Sequence, residues 1–200
     1  MWNDKNFALI QGAFGGLLAG IALLQSGFLI MPLALAFLLS ASRFPLAGSL
    51  WGGVAILISH SWLLGLHPLT WIGIPSLLSL PVAILIWFFC ASLGCALCGG
   101  WSWLGNISFL SKAKNKSFRT NFFHTLFMAS IWGLAEVLLA QLPLFWIGVG
   151  SALLPEDRML AGLARWFGAG GLVIVQFLIG WWIWQTAVAF QNRKNWRMIF

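Results

Sequence analysis

Few side chains in this 200-residue sequence carry groups suited to chemistry, since Asp and Glu together number only 4 and His only 3. Glu136 is the only acidic residue inside a long apolar run. A carboxyl group at membrane depth is costly, so Glu136 is a candidate functional residue. A purely structural interpretation, in which the side chain extends toward water or accepts an interhelical hydrogen bond, explains it equally well.

The three histidines do not indicate a catalytic pair or a metal site. His124 precedes Glu136 by twelve residues, which on one helix separates them by roughly 120° and 18 Å, so they are too far apart for proton exchange. His60 and His67 have no Cys, Asp or Glu nearby to complete a metal shell. A role in lining a cavity open to the outer face stays possible for these two.

The cysteines likewise predict packing and no chemistry. Cys90, Cys95 and Cys98 lie in one apolar run, and the CxxC spacing is followed at once by Gly99 and Gly100. Small residues in this pattern are typical of close helix contact in membranes. The sequence contains no nucleophile elbow, phosphate-binding loop or dinucleotide fingerprint. We therefore expect no cofactor and no metal.

The composition predicts an integral membrane protein that is entirely helical. Hydrophobic residues make up 60% and charged residues 8%, against about 25% charged residues in soluble domains. The net charge of +7 comes from short segments between apolar runs, so it does not indicate nucleic-acid binding. The 14 tryptophans are expected near the ends of the helices, at the headgroup boundary.

A spanning helix needs about 20 apolar residues, and the sequence divides into six such runs within a single transmembrane domain, 1–200. The second run is short and contains Pro32, so it fits a full crossing least well. The predicted spans are approximately 7–24, 28–41, 46–64, 80–101, 122–142 and 167–190.

The basic residues orient the predicted bundle. Lys5, Arg43, the segment 112–119 and the segment 193–197 fall on alternate connections. By the positive-inside rule these connections face the cytoplasm, which places both chain ends there. The first run resembles an uncleaved signal anchor, because the second run follows too closely for a cleavage site.

Three segments resemble the membrane domain of apolipoprotein N-acyltransferase in order and spacing. These are the W-x3-E pattern of Trp132 and Glu136, the Gly-rich turn from Trp146 to Gly150, and the Gly-rich helix start at Gly168. Upstream, Trp62 and the stretch through His67 and Pro68 look like the outer end of that family's third helix. The chain departs from the family pattern at Leu139, where Arg is usual, and at Phe145, where Pro is usual.

The resemblance implies a role in lipoprotein maturation, in which an acyl chain passes from a membrane phospholipid to the amino terminus of a diacylated lipoprotein. Trp62, His67, Glu136 and Trp146 are then expected to contact lipid or substrate at the outer mouth of the bundle. The family's catalytic Glu, Lys and Cys belong to a nitrilase-like domain, and none of the three cysteines here matches that position. The resemblance thus implies the membrane part alone, a split or truncated form inactive without a separately encoded nitrilase-like partner, in the bacterial cytoplasmic (inner) membrane.

Two other functions stay open at this point. A small transporter or channel subunit is suggested by Glu136, Gln176 and Gln185 within the predicted spans. It would require these groups to converge, whereas Gln176 and Gln185 are nine residues apart and face opposite sides of one helix. A structural or assembly role is the third interpretation.

Overall fold

The computed structural model describes residues 4–25, 27, 29–108, 117–141, 148–153 and 162–191. Within these residues the chain forms six α-helices and three short 3-10 helices. The 3-10 helices are Ser61–Leu66, Leu69–Ile72 and Gly150–Leu153. The α-helices are α1 (Asp4–Gln25), α2 (Ile30–Ala41), α3 (Pro45–Ser59), α4 (Ser76–Ile107), α5 (Phe118–Leu139) and α6 (Ala164–Gln191).

The prediction of an all-helical, multi-pass membrane bundle is confirmed. Five helical segments are long and apolar enough to cross a bilayer, α3 together with the 3-10 helix that follows it counting as one. The sixth, α2, has only 12 residues, about 18 Å of helix. The buried residues of α2, which include Met31, Leu35 and Leu38, pack this helix against its neighbours. Which membrane side each chain end faces stays a prediction.

The helices form a ring around a shared core. α3 packs against α1 on one side and α4 on the other, α2 lies between α1 and α6, and α6 continues to α5. The contact that closes the ring, between α4 and α5, is by far the smallest. The ring is therefore closed by extensive contacts between all neighbouring helices except α4 and α5.

Small residues account for the close approach of α3 to α4. A side chain at Gly52 would collide with the Gly94 carbonyl oxygen and the Cys98 sulfur, and Gly94 in turn faces the Gly52 carbonyl. This confirms helix packing as the role of the Cys98 region. Gly100 does not share that role, because nothing lies within 4 Å of where its side chain would start, so the packing predicted for it is wrong.

A central aromatic cluster joins four helices, and we define it as Trp51, Trp101, Trp132 and Phe177. Trp132 packs edge-to-face on Trp51 and on Trp101, with ring centroids 6.1 and 5.4 Å apart. Phe177 lies 5.4 Å from Trp101 and 5.3 Å from Trp132. The indole nitrogens of the first two members are satisfied inside the bundle, since Trp51 donates to the Ala34 carbonyl and Trp101 to that of Met128.

Trp51, Trp132 and Trp181 are buried well inside their helices, and Trp101 is buried six residues before the end of α4. The expectation that tryptophan marks the helix ends is therefore wrong for them. Each indole replaces the water of the interface with a backbone carbonyl or an aromatic neighbour, which allows it to occupy the core. Trp62, Trp71 and Trp166 are exposed and lie near helix ends, as the sequence predicts.

All six helices differ from the predicted spans by a few residues, and α3 and α4 differ most at one end, by five and six residues. α3 stops at Ser59, because His60 leaves the helical region and a 3-10 turn follows it. α4 begins four residues earlier and ends six residues later than the predicted span 80–101. Its 32 residues correspond to about 48 Å, more than the roughly 30 Å of hydrocarbon.

Alternating helices give the bundle two distinct ends. The basic end is defined by Lys5, Arg43 and Arg119, which lie at the start of α1, in the α2–α3 turn and at the start of α5. The Glu136 end is defined by His67, Glu136 and Gly150, which lie after α3, near the end of α5 and before α6.

Candidate functional site

Glu136 is buried at the end of α5, with only 7% of its surface exposed. Its Oε1 accepts a hydrogen bond of 3.1 Å from the backbone N–H of Gly150. The backbone of Val149 and the side chain of Trp132, one helical turn earlier, also lie beside the carboxyl group. Oε2 is buried and has no hydrogen-bond partner among the described residues. One oxygen is therefore fixed by the fold and the other is left as an acceptor.

Glycine makes this contact possible in the segment before α6. Gly148 has a φ of 71°, a conformation that residues with a side chain rarely adopt. Gly150 lies so close to α6 that a side chain there would start 2.8 Å from the Ala169 carbonyl oxygen. The N–H of Gly150 is thereby pressed between α6 and α5, where it meets Glu136.

An apolar groove runs between α5 and α6 at this same end. Its volume is about 550 Å³ and its walls are almost wholly apolar. Gly168, with a φ of 63°, bends the start of α6 and opens the mouth of the groove. The lining residues are Ser130, Gly133, Leu134, Val137, Ala140, Phe167, Gly168, Ala169, Gly170, Gly171 and Ile174.

A second apolar cleft lies on the other side of α5, where it barely touches α4. Its volume is about 260 Å³, and Trp101 and Trp132 of the aromatic cluster form part of its wall. α5 is therefore flanked by two spaces of the kind that a hydrocarbon chain fills.

Trp62 and His67 occupy a separate cluster at the Glu136 end, in the segment that joins α3 to α4. His67 Nδ1 lies 2.8 Å from Ser79 Oγ, and the same oxygen accepts the N–H of Leu69 at 2.6 Å. Ser79 is fully buried, and it fixes the 3-10 segment to the start of α4. Trp62 is 48% exposed and lies beside His60, with ring centroids 6.3 Å apart.

The four residues predicted as substrate contacts are thus distributed unevenly. Glu136 faces the Gly150 turn and α6, whereas Trp62 and His67 belong to the α3–α4 corner. Trp146 lies outside the described residues. The substrate-binding roles of all four stay predictions.

Sequence reasoning missed two groups that shape this end of the molecule. Ser79 gave no signal, because a serine inside an apolar run is ordinary in a membrane helix. The N–H of Gly150 was equally hidden, since any residue but proline has one. The glycines around Gly150 were the one sequence feature that could have indicated a close backbone contact there.

Comparison with known proteins identifies relatives of this chain. It is 60% identical over 189 residues to an apolipoprotein N-acyltransferase of Prochlorococcus marinus strain MIT 9313, a match over 94% of this chain. It is 47% identical over its whole length to one of Parasynechococcus marenigrum strain WH8102. The chain is homologous to the N-terminal part of apolipoprotein N-acyltransferases. The resemblance read from the W-x3-E and glycine-rich segments is therefore confirmed.

The homology covers one part of those relatives. The chain spans 38% of the Prochlorococcus acyltransferase and 42% of the Parasynechococcus one. A more distant acyltransferase of Synechocystis is 29% identical over 148 residues. No family model and no solved structure matches the chain.

Proposed function

We propose that this chain is the membrane part of an apolipoprotein N-acyltransferase, which transfers an acyl chain from a phospholipid to the amino terminus of a diacylated lipoprotein. The observation that carries the proposal is the homology to two Prochlorococcus acyltransferases over 94% and 98% of the chain. In this proposal the protein resides in the bacterial inner membrane, with the Glu136 end on the outer side.

The proposed site for the lipid substrates is α5 and the two spaces beside it. The groove between α5 and α6 opens at the level of Glu136 and is lined by hydrocarbon and glycine. Glu136 is not part of the groove wall, but its neighbour Val137 is, and the proposal places the polar end of an acyl chain in this groove near the carboxyl group. Glu136 Oε2, which the fold leaves without a partner among the described residues, then accepts a hydrogen bond from the substrate.

The acyl transfer itself is assigned to a nitrilase-like part outside these 200 residues. A cysteine thiolate there attacks the phospholipid ester and releases a lysophospholipid, and the lipoprotein amine then attacks the thioester and frees the thiol. The cysteines of this chain are unsuited to that step, since all three lie within the helix α4. The chain alone is expected to be inactive, whether that part is separately encoded or joined to it.

The transporter or channel alternative receives no support from the arrangement of its polar groups. Gln176 is fully buried in α6 while Gln185 is half-buried on the other side of that helix. Glu136 belongs to α5 and is bonded to the Gly150 turn. The three side chains therefore do not converge as that function requires.

The test is an acylation assay in membranes that contain this chain with or without the nitrilase-like part of the Prochlorococcus relative. The mass of a diacylated lipoprotein reports the added acyl chain. We expect the mass increase only when both parts are present. No increase with both parts stably inserted would remove the proposed function.

Matched variants of Glu136 separate support of the fold from substrate contact. Glu136→Gln keeps an acceptor for the Gly150 N–H but replaces the free oxygen with an amide. We expect it to insert and fold as the parent does and to lose about tenfold in acylation rate, the loss of one hydrogen bond to substrate. Equal rates for Glu136→Gln and the parent would show that Oε2 does not contact substrate.

A further inference from the structure

A polar cavity lies at the basic end of the bundle, on the opposite side of the molecule from Glu136. Its volume is about 240 Å³, and α2, the α2–α3 turn, α4, α5 and α6 all contribute to it. Its lining residues are Leu39, Ser40, Ser42, Arg43, Trp101, Ser102, Gly105, Asn106, Asn121, His124, Thr125, Met128, Trp181 and Trp184. None of these is acidic, and Arg43 supplies a permanent positive charge.

Two buried donors line this cavity without a partner among the described residues. They are the Ser102 hydroxyl and the Trp181 indole N–H, on residues exposed by only 1% and 0%. An unpaired buried donor costs about 1–3 kcal/mol. A ligand oxygen that enters the cavity would give both donors a partner, and it would reach the Ser102 hydroxyl beside Gly48, against which that hydroxyl packs.

The fold holds Arg43 at the rim of this cavity. The Asn106 side-chain amide in α4 donates to the carbonyls of Ser42 and Arg43, at 3.1 and 3.2 Å. The Arg43 guanidinium lies 5.2 Å from the centre of the Phe44 ring, and no carboxylate among the described residues pairs with it. Its charge is thus available to an incoming anion.

A groove of about 430 Å³ adjoins the polar cavity on the outer surface of α1, α2 and α6. Ser40, Arg43 and Trp184 line both spaces. The groove has a mixed lining that includes Gln11 and Gln191, and it has an aliphatic and aromatic wall formed by Leu33, Phe37, Ile183, Ala187 and Val188. A cavity beside the Arg43 charge that leads into a groove with such a wall matches the charge and shape of a phospholipid.

We propose that this end of the bundle binds an anionic glycerophospholipid of the adjacent leaflet. The phosphodiester lies in the polar cavity against Arg43, Ser102 and Trp181, and one acyl chain lies in the groove of α1, α2 and α6. Basic pockets between membrane helices are suited to such headgroups, and the two spaces together fall within the size of ligand sites, about 300–1,000 Å³. This lipid is distinct from the acyl donor, which the proposed function places at the Glu136 end.

Native mass spectrometry of the whole chain in detergent tests the proposal by titration with phosphatidylglycerol. Arg43→Gln is expected to weaken binding about tenfold, from loss of a charge-assisted contact. Ala187→Trp fills the exposed groove and is expected to weaken it similarly. The matched control is Arg119→Gln, which removes a positive charge at the same end outside both spaces and is expected to leave binding unchanged.

Three further comparisons test whether the binding is specific to this cavity and whether it requires the whole lipid. Equal weakening by Arg43→Gln and Arg119→Gln would reduce the effect to general surface charge and overturn the proposal. Glycerol phosphate competing as strongly as the intact lipid would overturn the lipid assignment, because the groove would then contribute nothing. Glu136→Gln is expected to leave this binding unchanged, which keeps the result independent of the acylation assay.

Discussion

The two sides of this helix ring differ in how closely their helices pack. Along α1, α3 and α4, glycines bring backbones into direct contact, and a side chain at Gly12, Gly16 or Gly52 would strike a backbone carbonyl. α5 packs on α6 through the same kind of contact, since a side chain at Gly133 would start 2.8 Å from the Gly170 carbonyl oxygen. It barely contacts α4, however, and open apolar spaces lie on both sides of it. The difference indicates a closely packed scaffold along α1, α3 and α4, and a helix α5 that is flanked by clefts near Glu136.

The largest effect is expected where the two sides meet, at Trp132. Trp132→Ala removes an indole that contacts α3, α4 and α6 through Trp51, Trp101 and Phe177. We expect a loss of about 3 kcal/mol in unfolding free energy, toward the low end for buried aromatics because lipid supplies no hydrophobic term. Unfolding in mixed detergent measures this loss in free energy. The control is Trp103→Ala, an exposed indole on α4, and a similar loss there would contradict the special role of the cluster.

The closely packed side is tested by adding one carbon atom. Gly52→Ala drives a methyl group into Gly94 and Cys98, and we expect it to cost about 1–3 kcal/mol of stability. Gly100→Ala, on the same helix as Gly94 but facing the open cleft between α4 and α5, is expected to change stability by less than about 0.5 kcal/mol. Thermal unfolding of the two variants in detergent measures the difference between their stabilities. Equal stabilities would show that α3 and α4 can separate without cost.

The α3–α4 corner at the Glu136 end is expected to respond more weakly and locally. Ser79→Ala leaves the buried Leu69 N–H without an acceptor and releases His67, at a cost of about 1 kcal/mol. Ser92→Ala, which removes an exposed hydroxyl bonded only within its own helix, is the control. Hydrogen exchange should rise in residues 61–72 for the first variant alone. Unchanged exchange there would mean that Ser79 does not anchor the segment.

The general fold followed from apolar run length, because a bilayer fixes how long each helix must be. The order of the helices around the ring did not, since it depends on pairings such as Gly52 with Gly94 that no single run reveals. Composition placed tryptophan at the boundary, and the burial of Trp51 and Trp132 shows that indole partners decide its location. Glu136 was recognisable as costly, whereas its partner is a backbone N–H that leaves no mark on the sequence.

The most direct test of the central claim, that α5 and its groove hold the acyl donor, is an exchange of parts. The Prochlorococcus relative would carry this chain in place of its matching N-terminal part, and acylation of a diacylated lipoprotein would be measured by mass. Two variants would be compared in it, Ala140→Trp, which fills the groove, and Leu138→Trp, at a residue that is also exposed but lies outside the groove. We predict an active exchange protein that loses about tenfold in rate with Ala140→Trp and little with Leu138→Trp. An inactive but stably inserted exchange protein, or equal rates for the two variants, would contradict the claim.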